Sequence, residues 1–153
     1  MKRQIIITED GSSTIHLPEW DEQYHSKHGA IQEAYHVFIE MGFFFYCKKQ
    51  QTVPIKILEI GFGTGLNAFI TLLESQKKNK AVEYTGVEAY PLSYSEIKNL
   101  NYPIKLNASK EVFTKFHNNP WEKPLEFSKN FTLTKRKQFF SEIQDKNRFH
   151  IIY

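Results

Sequence analysis

Residues 56–67, Lys56-Ile57-Leu58-Glu59-Ile60-Gly61-Phe62-Gly63-Thr64-Gly65-Leu66-Asn67, decide how the chain is read. The apolar positions around Leu58 and Ile60 mark a short buried strand. Glycines at every second position follow, and Leu66, Phe69, Ile70, Leu72 and Leu73 then recur at helical spacing. Three positions without a Cβ let a ligand lie against bare main chain where the strand turns into the helix. The unpaired N–H groups at the helix start favour an electron-rich ligand group. A nucleotide-like cofactor is therefore the first expectation.

The spacing narrows the cofactor. A dinucleotide site of the form G-x-G-x-x-G needs glycine at position 66, where this chain has Leu66. The pattern here is E-x-G-x-G-x-G, with Glu59 two residues before the first glycine. This resembles motif I of the class I S-adenosylmethionine (AdoMet) methyltransferases, in which the acid lies near the methionine amino group of the cofactor. A second strand, Glu83-Tyr84-Thr85-Gly86-Val87-Glu88, follows one helix later and also ends in an acid. A carboxylate there can accept hydrogen bonds from both ribose hydroxyls. Two alternatives stay open: a purely structural turn with Glu88 as a solvated strand end, and an NAD(P)- or FAD-dependent oxidoreductase.

A chain of 153 residues is one domain or part of one. With 41% hydrophobic residues, 13 Phe and 8 Tyr, it can build a packed core, and no apolar run is long enough to span a membrane. The residues after Met1-Lys2-Arg3 are too few in apolar character for a signal peptide. The single Cys47 excludes an internal disulfide and fits a reducing, cytoplasmic setting. The net charge of +3 is uneven: residues 1–100 hold 10 Lys+Arg against 12 Asp+Glu, and residues 101–153 hold 10 against 5. A basic later part suits a phosphate backbone.

Along the chain, residues 4–8 and 13–17 predict two strands around a turn at Asp10-Gly11. A helix from near Gly29 carries Ile31, Ala34, Tyr35, Phe38, Met41 and Phe45 as one apolar stripe. His25, His28 and His36 lack a clear set of partner ligands, so no metal site is expected. Lys48–Pro54 reads as a polar connector. The helix after the glycine turn runs to about Ser75, and the second strand covers 83–88. Ser93 with Glu96 predicts a capped helix to about Leu100. Residues 107–117 predict a helix, 127–135 a strand with Phe131 and Leu133 on one side, 138–144 a helix, and 149–153 a buried strand. The domain reading is an N-terminal hairpin and helix (1–50) packed on a cofactor-binding half (51–153).

Four blocks then point to one family. Tyr24-His25-Ser26, residues 29–39, Leu58–Asn67 and Tyr84–Leu92 occur in an order that resembles the methyltransferase domain of the tRNA 5-methylaminomethyl-2-thiouridine biosynthesis family (MnmC/MnmD type). The likeness covers residues 1–100 and is weak from 101 to 148. It implies an α/β, Rossmann-like class I methyltransferase fold with a doubly wound, mostly parallel sheet, apparently truncated after its fourth strand and preceded by a β-hairpin and helix. It also implies S-adenosylmethionine as cofactor and tRNA as partner, with a methyl group passing to the aminomethyl nitrogen of the modified wobble uridine 34. On the same ground Glu59, Gly61, Phe62, Gly63, Thr64, Gly65 and Asn67 would line the methionine side. Glu88 would hold the ribose with Ala89 beside the adenine, and Tyr24, Ser26 and Glu33 would fold over the pocket.

Two departures from that family stand out. Its members continue the last strand into D-A-F-x-P, whose aspartate faces the transferring methyl, whereas the sequence here stops at Tyr153. The expectation is that no catalytic residue lies within the chain, which would bind AdoMet weakly or not at all and show no turnover by itself. Residues 135–138, Lys-Arg-Lys-Gln, also offer no acid where an adenine contact belongs. A non-catalytic binding or assembly fragment is the remaining alternative, with self-association through an open sheet edge.

Overall fold

A computed structural model describes residues 2–49 and 54–153. Its larger sheet is built around β4 (Ile55–Ile60), in which Ile55, Ile57, Leu58 and Glu59 are all buried. β5 (Val82–Val87) pairs with β4 in parallel on one side, and the two-residue β8 (Ile151–Ile152) pairs in parallel on the other. β7 (Phe131–Arg136) adds to β5 in parallel, and β6 (Pro124–Ser128) closes that edge antiparallel. The order is β6-β7-β5-β4-β8. The α/β class and mostly parallel sheet thus follow the sequence reading. Central strands buried along most of their length are what parallel sheets require.

The core is rich in rings. Phe69, on α3 (Leu66–Lys77), packs against Phe113 and Phe116 of α6 (Lys110–Asn118) at centroid distances of 5.1 and 5.6 Å. Phe116 continues to Phe131 on β7, and Phe131 stacks on Tyr84 of β5. Each such ring removed from water contributes about 1.5–3 kcal/mol. At the amino end, β1 (Gln4–Ile7), β2 (Ser13–Leu17) and β3 (Glu22–Gln23) form a small antiparallel sheet, one strand more than the predicted hairpin. β3 is two residues long, too short to leave a periodic signature.

The long helix departs from the predicted stripe. A first turn, α1 (Ala30–Glu33), runs into a π-helical stretch over Ala34–Phe44 and then into α2 (Phe45–Lys49). Its fully buried residues are Ala30, Ala34, Ile39 and Phe43, four or five apart instead of three or four. Hydrogen bonds from i to i+5 widen each turn, so the buried face drifts away from a regular helical stripe. Met41 and Phe45, predicted to be inside, are 66% and 51% exposed. α1 starts without a side-chain cap from its own Gly29. Its first N–H groups are met instead from the β1–β2 turn: Ala30 donates to Thr8 Oγ1, Ile31 to Ser12 Oγ and Gln32 to Asp10 Oδ2.

Further corrections fall after residue 90. The Ser93 capping box is present, but its helix, α4, covers only Tyr94–Ile97. A short α5 (Tyr102–Lys105) was not foreseen, and α6 begins at Lys110, capped by Ser109, instead of at 107. The single strand predicted over 127–135 is the β6–β7 hairpin. The helix predicted over 138–144 is one 3-10 turn at Phe140–Glu142, and Phe140 is exposed. The buried strand predicted over 149–153 is β8, with Ile152 65% exposed. Most of the predicted polar connector, residues 50–53, lies outside the described residues.

Candidate functional site

β5 and β8 leave β4 on opposite sides, and open α/β sheets bind ligands in the crevice that such a reversal creates. A cleft of about 370 Å³ lies at the carboxyl end of β4. The glycine turn forms its floor. Gly61, Gly63 and Gly65 have φ of 90°, 50° and 71°, a left-handed conformation that suits residues without a Cβ. A Cβ built on Gly61 would meet nothing within 4 Å, so the main chain is bare toward the cleft at that point. The turn is held from below by Phe62, whose ring packs so tightly under β5 that a Cβ on Gly86 would collide with it. From the side, a neutral His117 donates from Nε2 to the Thr64 carbonyl at 3.1 Å. Burial, reinforced by the nearby Lys135 cation, pushes that imidazole down to about 3. Tyr102 donates its hydroxyl to Thr64 Oγ1.

Two carboxylates face this cleft. Glu59 is 3% exposed; Asn67 Nδ2 donates to its Oε1 at 3.0 Å and Tyr84 OH to its Oε2 at 2.9 Å. Burial raises its pKa to about 8 against the opposing pull of those two hydrogen bonds, and the neighbouring Glu88 adds to the rise. Glu88, just past β5, is half-buried, and both its oxygens take main-chain donors: Gly63 N–H to Oε2 and Tyr90 N–H to Oε1, each at 2.8 Å. A third acid, Glu33, lines the rim and accepts the Ser26 N–H at 2.7 Å.

Of the residues predicted from sequence, Tyr24, Glu33, Glu59, Gly61, Phe62, Gly63, Thr64, Asn67 and Glu88 line the cleft. Ser26 does not; it borders a neighbouring depression with His28 and His36. Gly65 is buried at the end of the turn, where a Cβ would meet the Phe62 ring at 3.1 Å and the His117 ring at 3.3 Å. Ala89 is half-buried outside the lining. Sequence reasoning missed His25, Phe38, Ile60, Leu66 and Tyr153 as lining residues. Phe38 and Tyr153 pair their rings at 5.2 Å. His25 is hydrogen-bonded through Nδ1 to Thr14 Oγ1, and burial holds it down at about 4. His25 stood in a quoted block and had a recognisable signal; Tyr153 reaches the cleft only through β8 pairing. His28 and His36 pair with Glu9 and Glu40, and no cluster among the described residues could hold a metal ion.

The acceptor set suits a ligand with a cationic end and a hydroxyl-bearing end. Asn67 Oδ1 is buried and has no partner among the described residues, although the amide's other end is committed to Glu59. An ammonium placed between Asn67 Oδ1 and Glu59 would satisfy both. Each Glu88 oxygen accepts one N–H and keeps a lone pair for a ligand hydroxyl. The bare main chain at Gly61 lies between the two acids in sequence and on the floor of the cleft they share.

The chain is similar to known proteins of one kind. The chain is 31% identical to the tRNA 5-methylaminomethyl-2-thiouridine biosynthesis bifunctional protein MnmC of Burkholderia multivorans over 69% of its own length and 16% of that protein. It is 32% identical to the MnmC protein of Magnetococcus marinus over 60% of its length and 14% of the relative. For the MnmC protein of Leptospira borgpetersenii the figures are 37%, 51% and 13%. Among solved structures, MNMC2 from Aquifex aeolicus superposes with a TM-score of 0.67 at 26% identity, covering 88% of this chain and 42% of that one. The chain thus spans only about a seventh of the length of the curated relatives it matches. No protein-family model matches it.

Proposed function

From a chain that is a relative of the MnmC-type methyltransferase domain, we infer a cleft that binds S-adenosylmethionine for methylation of tRNA at a modified wobble uridine. The observation that carries this reading is the placement of Glu59 and Glu88 in one cleft on either side of the glycine turn. Glu59 and Asn67 would hold the methionine ammonium, and Glu88 the ribose hydroxyls. Tyr24, whose ring lies 3.2 Å from where a Cβ on Gly63 would sit, roofs the turn. When bound, the cofactor supplies an electrophilic methyl on a sulfonium. The protein's part is alignment: two tethers fix the ligand's ends, and the rings of Phe38 and Tyr153 limit water. The acceptor on tRNA is the exocyclic aminomethyl nitrogen, which must be neutral to attack. Glu59 and Glu88 serve as tethers, and no described residue is assigned the role of base.

The test is a thermal-shift and calorimetry panel with AdoMet, its demethylated product, NAD, NADP and FAD, followed by tritiated AdoMet with tRNA carrying a free aminomethyl group at uridine 34. Binding of AdoMet and its product, with no response to the other three, is expected because both tethers lie within the chain, in contrast to the weak or absent binding expected from sequence. Tritium transfer to tRNA by this chain alone is expected to be absent, since no described residue is assigned as base. A response to NAD or FAD with none to AdoMet would replace this reading by an oxidoreductase.

A further inference from the structure

Tyr84 belongs to no recognised cofactor position, yet its hydroxyl enters the cleft's most buried polar cluster. It lies on β5, directly opposite Ile57 of β4, with its ring fully buried between Phe131 and Tyr153 at centroid distances of 6.1 Å. Aromatic packing alone would be served as well by phenylalanine. The hydroxyl instead donates to Glu59 Oε2, while Asn67 takes Oε1 and leaves its own Oδ1 without a partner. One carboxyl group is thus fixed at both oxygens by donors from two different elements, β5 and α3, with a spare acceptor beside it.

We propose that Tyr84 is a positioning residue for the cofactor's ammonium group: it fixes and supports the ionised Glu59 carboxylate, so that cation binding is coupled to loss of a proton from Glu59. This rests on the AdoMet reading above. The titratable groups facing Glu59 are Tyr84 on β5, Tyr153 after β8 and Glu88 after β5. Neither tyrosine ionises near neutral pH, since burial raises both, and Glu88 opposes ionisation of Glu59. Without a cation, burial favours the protonated acid. An ammonium arriving against Glu59 and Asn67 Oδ1 reverses that preference, and the displaced proton leaves to solvent. The Tyr84 hydroxyl donates to the charged form, so removing it makes ionisation harder at every pH.

The experiment compares wild type with Tyr84→Phe, which keeps the ring packing. AdoMet dissociation constants are measured by calorimetry from pH 6 to 9 in buffers of different ionisation enthalpy. The ratio of the two constants is the quantity of interest, because ionisation of the ligand cancels in it. Loss of one hydrogen bond to the carboxylate is expected to weaken Tyr84→Phe about tenfold near pH 6–7, with the gap narrowing toward about twofold at pH 9. Wild type should release protons on binding near neutral pH, and a carbon-13 titration of the ligand-free proteins should show the Glu59 carboxyl shifted upward in the variant. A ratio constant across pH, or an unshifted Glu59 titration, would reduce Tyr84 to packing and overturn this inference while leaving the AdoMet site standing. Absence of AdoMet binding by wild type at every pH would overturn the cofactor reading, and this inference with it.

Discussion

Glu59 lies one residue before the end of β4 and Glu88 follows β5, so two neighbouring parallel strands deliver a carboxylate to the same cleft by different means. Glu59 is buried and receives side-chain donors, Asn67 and Tyr84. Glu88 is half-buried and receives main-chain donors from Gly63 and Tyr90. The first arrangement makes charge costly until a cation arrives. The second uses the carboxylate to tie the glycine turn to the loop beyond β5 before any ligand is present. In the proposed site, one end would therefore discriminate by charge and the other would hold the shape of the floor.

Substitution separates the two roles. Glu59→Gln keeps the acceptor at Oε1 and removes the charge, so AdoMet binding should fall by roughly ten- to a hundredfold, the worth of a charge-assisted hydrogen bond. The same variant should stabilise the ligand-free protein at alkaline pH. The folded-state pKa of Glu59 is raised from 4.5 to about 8, so its contribution to stability is complete below about 4.5 and is lost as pH rises toward 8. The slope reaches at most roughly 1.4 kcal/mol per pH unit. Melting curves of wild type should show this decline between pH 5 and 8, and those of Glu59→Gln should not. Glu88→Ala should cost about tenfold in binding, but its distinguishing sign is faster amide hydrogen exchange at Gly63 and Tyr90. If both variants lost affinity alike and neither changed exchange or the pH profile, the contrast between the two ends would be gone.

Gly86→Ala tests what the ends have in common. Its new methyl would meet the Phe62 ring beneath the turn, with a cost of about 1–3 kcal/mol of stability by urea unfolding. Because Phe62 supports the floor between the acids, binding at both ends should weaken together.

The cleft's skeleton was legible in the sequence because its parts are local. Most of the strand with Glu59, the glycine turn and the start of the helix lie within the dozen residues 56–67, and Glu88 follows just after the next strand. What escaped depends on pairing across the chain. Tyr84 reads as an ordinary strand residue until β5 lies beside β4, and Tyr153 enters the cleft because β8 pairs with β4, with its own N–H bonded to the Leu58 carbonyl. Met41 and Phe45 were misplaced since periodicity presupposes the turn width that the π-helical stretch abandons. Lys135 was counted among the cations of the basic later part of the chain. It is 1% exposed, donates to the His117 carbonyl and lies 4.8 Å over the Trp121 ring, and burial lowers its pKa to about 8. Charge counted along a sequence does not say which cations face solvent.

Asp10 gives the comparison its control, because it is a carboxylate rich in donors that lies outside the cleft. It accepts from Thr8 Oγ1, from Ser12 through both N–H and hydroxyl, and from the Gln32 N–H at the start of α1. Burial opposes its ionisation, yet the bonds from Ser12, Gln32 and Thr8 prevail and lower it to about 2. Removing an acceptor at a helix start costs about 1 kcal/mol, so Asp10→Ala should lower the melting temperature modestly near neutral pH. A depressed folded pKa contributes stability that is present above the ordinary value of 3.8 and is lost as pH falls toward 2. Wild type and Asp10→Ala should therefore converge in melting temperature as pH drops through that window. AdoMet affinity measured at pH 7.5 should stay within about twofold of wild type, since α1 is seated by Thr8 and Ser12 as well. A loss matching that of Glu88→Ala would mean that any well-bonded carboxylate near the amino-terminal sheet supports the cleft, and the distinction between its two ends would not be theirs alone.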